Sequence, residues 1–230
     1  MNKNLFAATC AAFLTVGSLV FLWGGAQHPL TDSSLGIVGT PEYFRAFAHH
    51  VAEHVGWQKI HTGILAGPIL WTLGSVGLAI RFSRNKSTGW SMLGLLSLGL
   101  GAAGWATVFV QDGFVSPLLA AAITGAGSSL DAVHAFRANQ EIVIRLGLVS
   151  WLLLGFGIAS VSAAAWGSRG QSRLIRLVLV PAGFLVGLWP VVAWVVGIFR
   201  PGPFTSGTWT ATAILTSCWF LVASVVLLRK

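Results

Sequence analysis

The chain has 230 residues, is 55% apolar and only 9% charged, and carries fourteen basic against six acidic side chains for a net charge of +8. Soluble domains carry about 25% charged residues, so a soluble globular domain is excluded. Long apolar runs along the whole length also exclude a soluble domain on a single anchor. The positive charge lies in short clusters at the ends of apolar runs, the pattern of membrane-protein loops, so nucleic acid is excluded as the explanation of the charge.

Six spans are readable in chain order, at approximately 5–24, 60–80, 89–111, 146–166, 174–197 and 208–228. The first follows Lys3 and ends in Gly24-Gly25-Ala26, which resembles a signal peptide with a cut after Ala26. A run of about 19 residues is long enough to span, and the favoured reading is an uncleaved first helix. Thr40-Pro41-Glu42 has the signature of a helix start: N-cap, proline at N1, acid in the first turn. Unless Gly56 interrupts it, that helix runs from 41 to about 81. The third runs from about Gly89 through Asp112 and Pro117 to about Gly125. Ser128-Ser129-Leu130-Asp131 offers a capping box for a fourth that ends near Trp166. Each of these three would be roughly 55–60 Å long, about twice the ~30 Å hydrocarbon core. The expected fold is therefore all-α: a polytopic bundle of six transmembrane helices in one domain over 1–230. Helices 2–4 would extend into an extracytoplasmic cap built from about 25–58 and 112–145. Gly94, Ser97, Gly101 and Gly104 share one face of the third span and would let a neighbouring helix approach closely.

Charge sorting orients the bundle. Lys3, Arg81, Arg84, Lys86, Arg169, Arg173, Arg176, Arg229 and Lys230 fall on one side with no acid among them. The other side holds all six acids and all six histidines, with Arg45, Lys59, Arg137, Arg145 and Arg200. By the positive-inside rule both termini are cytoplasmic, in a cell inner (plasma) membrane. Cys10 and Cys218 lie in apolar runs and form no framework or metal motif.

Every side chain suited to acid–base or metal chemistry near neutral pH thus lies in one layer. His50 and His54 are i, i+4 neighbours, a spacing that presents two imidazoles to one ion. Counting 1.5 Å per residue from the inner helix ends puts His50, His54 and His134 at roughly 40–48 Å. His61 and Asp112 come out at roughly 30–35 Å by the same count. The first three form the expected metal site, for Zn, Cu or Fe, with Asp131, Glu53 or Asp112 as a further ligand or orienter. His61 and Asp112 form an expected proton or ion site; Lys59 and Arg145 are other partners for a buried Asp112. Arg137, Glu141 and Arg145 read as a salt-bridged helix stripe. His28, in a loop beside Pro29, is set aside. Haem is disfavoured, because His61 and His134 come out at different heights. Zinc-protease HExxH, nucleophile-elbow and phosphate-loop motifs are absent from the sequence.

The leading expectation is a metal-binding inner-membrane protein with redox or hydrolytic chemistry on a membrane-soluble substrate. The alternatives are a non-enzymatic accessory subunit of a membrane complex and a transporter or channel using His61 and Asp112. The lipid bilayer is the expected partner, with a membrane-protein partner or a homo-oligomer beside it.

Overall fold

The computed structural model of the chain describes residues 3–28, 35, 40–83, 87–125, 129–168, 171–199 and 203–229. The described residues are helical throughout, in the order α1 (Lys3–Gln27), α2 (Pro41–Glu53), α3 (Trp57–Phe82), α4 (Thr88–Val110), a π-helical turn (Gln111–Val115), α5 (Ser116–Thr124), α6 (Leu130–Gly167), α7 (Val180–Phe199, preceded by a π turn Ile175–Leu179) and α8 (Pro203–Leu228). Among the described residues, six helices are long and apolar enough to cross a membrane: α1, α3, the continuous α4–α5 rod, α6, α7 and α8.

The spans close into a ring of neighbours. α1 packs on α3, α3 on α4, α4 on α6, α6 on α7, α7 on α8, and α8 back on α1. Aromatic side chains fill the centre: Phe21, Trp71, Trp105, Trp151, Trp219 and Phe220 belong to one buried cluster. Small residues set the close approaches. A methyl at Gly94 would meet Val161 and the Gly157 carbonyl, and one at Gly101 would meet Leu154 and the Ser150 carbonyl. The glycine–serine face of the third span therefore packs on α6, where buried Ser97 joins it.

The chain direction alternates between neighbours, so polar ends collect. At one end Arg81 donates to the Arg229 carbonyl, and the Ser168 hydroxyl donates to the Phe82 carbonyl. The opposite end holds the close of α1, the start of α3, the π turn and the start of α6.

A second apolar core forms at that opposite end. Tyr43, Phe44, Phe47 and Val51 of α2 pack with Ala120 and Ile123 of α5 and Val133 and Phe136 of α6. Thr40 caps α2 as expected, its hydroxyl accepting from the Tyr43 N–H at 3.2 Å. Ser129, not Ser128, caps α6, accepting from the Ala132 N–H at 3.2 Å; Ser128 lies outside the described residues.

The unbroken helix expected over 41–81 does not form. α2 ends at Glu53 with His54 as its extended C-cap, and α3 begins at Trp57. Gly56 lies between them at φ 104°, a left-handed conformation that only glycine adopts cheaply. α2 is thereby freed to cross onto α5 and α6. Heights for His50 and His54 counted along a single rod no longer apply.

The α4–α5 rod is continuous, as expected, but its middle is widened. Pro117 has no N–H to give the carbonyl four residues back, and its ring would crowd that carbonyl in a regular helix. One wider turn over Gln111–Val115 relieves the conflict, closed by the Ser116 N–H on the Gln111 carbonyl. Such π turns occur frequently at functional sites.

Candidate functional site

The π turn carries Asp112, which is 8% exposed, and the second turn of α3 carries His61, which is 1% exposed. His61 Nε2 lies 3.0 Å from Asp112 Oδ2. The end of α1 brings a third group: His28 Nε2 is 3.9 Å from the same oxygen. The donor atoms of these three residues all lie within 4.8 Å of one another. Among the described residues, no other group of three or more His, Cys, Asp or Glu side chains is gathered this closely.

Glycine makes the contact possible. A methyl on Gly113 would lie 2.6 Å from His61 Cβ, so only a bare Cα lets α3 come this near the π turn. Trp57, one turn before His61, donates its indole N–H to the Asp112 carbonyl at 2.7 Å. The ring of His28 lies 5.1 Å from those of both Trp57 and His61.

Asp112 is held from its other side by amides. Asn139 Nδ2 and Gln140 Nε2 donate to Ser116 Oγ at 2.9 and 2.7 Å. Those two donors occupy the acceptor capacity of the hydroxyl. Its single proton is left for Asp112 Oδ1, 3.1 Å away, or the Gln111 carbonyl at 3.3 Å. Gln140 Nε2 also reaches Asp112 Oδ1 at 3.4 Å. Oδ1 is thus an acceptor, and Oδ2 is turned to the histidines.

Proton counting gives the site its character. His61 Nδ1 lies 2.8 Å from the Trp57 carbonyl, which can only accept, so Nδ1 carries a proton. Nε2 faces a carboxylate oxygen, also an acceptor. A neutral imidazole has one N–H for these two acceptors. The pair therefore has room for one more cation, a second proton or a metal ion.

A metal ion fits the same arrangement. With bonds of about 2.0–2.2 Å, the ligand atoms of a four- to six-coordinate ion sit roughly 2.9–3.5 Å apart. His61 to Asp112, at 3.0 Å, is within that range; His28, 3.9 Å from Asp112 in a set whose ligand atoms lie within 4.8 Å of one another, must move inward to complete it. The bond from His61 Nδ1 to a carbonyl is the usual orienter of a metal-bound histidine. The His28 side chain is 29% exposed, against 1% for His61, so the site opens on the His28 side.

The other residues singled out from sequence fall elsewhere. His50, in the last turn of α2, and His54, its C-cap, have ring centroids 6.2 Å apart. His134 and Asp131 are exposed on the first turns of α6, and no group of three ligands gathered in the described residues includes His50, His54 or His134. Lys59 is exposed. Arg145 pairs with Glu141 at 3.3 Å, as the expected salt-bridged stripe requires, whereas Arg137 lies over the Phe44 ring instead. Sequence reasoning passed over His28, Trp57, Ser116, Asn139 and Gln140. For His28 a signal existed: 25 steps from Lys3 at 1.5 Å each reach about 37 Å, near the height counted for His61 and Asp112.

No protein-family model matches the chain, and neither does any curated protein or any solved structure.

Proposed function

We propose that this is a multi-pass inner-membrane protein that holds a transition-metal ion on His28, His61 and Asp112 at its extracytoplasmic end. The ion's open coordination positions would serve redox or hydrolytic chemistry on a membrane-soluble substrate. The observation that carries this reading is the His61–Asp112 pair, whose facing nitrogen and oxygen call for a cation while a third ligand stands 3.9 Å away. Two imidazoles and one carboxylate suit zinc and non-haem iron, and three protein ligands leave positions for water or substrate. The rings of His28 and His61 are in T-shaped contact, which leaves no gap for a porphyrin plane.

Orientation follows from charge. Arg81, Arg173, Arg176 and Arg229 belong to the end where α3 and α8 finish and α7 begins, and the acids and histidines among the described residues belong to the other. The basic end is then cytoplasmic. The end built from α2, α5 and the start of α6 forms the extracytoplasmic cap.

Elemental analysis of detergent-purified protein tests the reading. About one zinc or iron ion per chain is expected at this site, lost in His61→Ala and Asp112→Asn and kept in His134→Ala. Protein that takes up no ion at this site would favour the accessory-subunit reading. A proton-carrying His61–Asp112 pair is supported by the same proton count, and proton flux in liposomes without metal dependence would select it.

A further inference from the structure

We propose that His50 and His54 form a second metal site, independent of the first, which holds a single copper(I) ion between their two rings. The pair lies at the end of α2 at i, i+4 spacing, with ring centroids 6.2 Å apart and planes inclined by 50°. His50 Nε2 and His54 Nδ1 are both buried and have no hydrogen-bond partner. A buried ring nitrogen without a partner calls for one, and an ion shared by the two rings is such a partner.

The chain holds the rings ready. His54 is fixed at the helix break by two backbone bonds: its N–H donates to the His50 carbonyl at 3.1 Å, and its carbonyl accepts from the Trp57 N–H at 3.2 Å. Its ring leans edge-on against Trp57, with centroids 5.8 Å apart. The neighbours His49 and Glu53 are exposed, so they belong to another face of α2.

Ligand count selects the ion. No third His, Cys, Asp or Glu of the described residues is gathered with this pair, and ring centroids 6.2 Å apart leave the two imidazoles within reach of one ion. Zinc sites are tetrahedral and take four ligands; copper(I) accepts two ligands in a line, and imidazole is among copper's ligands.

The test is copper(I) binding to the detergent-solubilised full chain, in competition with a chromophoric copper(I) chelator, followed by X-ray absorption of the bound copper. A His61→Ala background removes the first site, so the two proposals fail separately. In that background one copper(I) per chain is expected, with two nitrogen neighbours. His50→Ala and His54→Ala should each weaken its binding at least a hundredfold, and His49→Ala should leave it unchanged. His50→Gln keeps a polar side chain of similar reach and is expected to match His50→Ala. Copper(I) bound equally well after loss of His50 or His54, or bound by three or four protein ligands, would overturn the proposal. So would the absence of copper(I) uptake by the His61→Ala chain.

Discussion

Gly113→Ala adds one methyl and changes no charge, yet it is expected to disable the His28–His61–Asp112 site. The new Cβ would lie 2.6 Å from His61 Cβ and 3.2 Å from its Cγ. Carbon atoms rest at about 3.5–4.0 Å, so α3 and the π turn must separate by roughly 1 Å. The same movement carries His61 Nε2 from 3.0 Å to about 4 Å from Asp112 Oδ2. Metal–ligand bonds tolerate only about ±0.2 Å, and a fall in metal affinity of at least about tenfold follows. Overpacking a filled contact costs about 1–3 kcal/mol, while alanine regains up to about 1 kcal/mol of helix propensity over glycine. The net loss is up to about 3 kcal/mol, or up to roughly 12 °C in Tm for a chain of this size. Gly99→Ala is the control, since its methyl would meet only Thr72 Cγ2, at an ordinary 3.9 Å. It should be neutral or slightly stabilising. Thermal unfolding and zinc titration of both variants in detergent form the assay. Gly113→Ala behaving like Gly99→Ala in both would refute the claim that this bare backbone sets the site.

Ser116→Ala and Gln140→Leu should each weaken metal binding about 10–100-fold, the usual effect of removing a group that orients a ligand. Calorimetric titration would show it, and unchanged affinity in both would remove these residues from the site. Trp57→Phe leaves the Asp112 carbonyl without its indole donor and should cost about 1–3 kcal/mol of stability; an unchanged denaturation midpoint would contradict that. For topology, Ser172→Cys and His134→Cys are suitable probes because both positions are exposed. External thiol labelling should reach position 134 in intact cells and position 172 only after permeabilisation, and the reverse pattern would invert the orientation. Stripping the metal with a chelator should lower Tm, because an ion bound only by the native state stabilises it by mass action; a Tm indifferent to chelator would count against a bound ion.

The spans were legible because each is a long apolar run, and the starts of α2 and α6 because Thr40 and Ser129 are strong caps. The height count paired His61 with Asp112 because α3 and the α4–α5 rod are continuous from their inner ends to these residues. It misplaced His50 and His54 because an interior glycine and one at positive φ look alike in sequence, and Gly56 is the second kind. His28 was passed over because the neighbouring Pro29 suggested a free loop, although α1 runs to Gln27 and carries His28 into the layer of His61. His134 faces outward because Val133 and Phe136 take the buried face of α6, together with Asn139, Gln140 and Val143. A histidine one residue along from such a face points away from it, and heights alone do not reveal this. The buried amides Asn139 and Gln140 were invisible for a related reason: amides near a span end read as surface until Asp112 and Ser116 are seen beneath them.

The most direct measurement is the zinc stoichiometry of the purified, zinc-loaded chain beside that of its Asp112→Asn and His28→Ala variants. With His28, His61 and Asp112 as ligands, the wild type should retain about one more zinc ion per chain than Asp112→Asn, and His28→Ala should bind at least about tenfold more weakly. Equal zinc retention by all three chains would contradict a metal centre at this place.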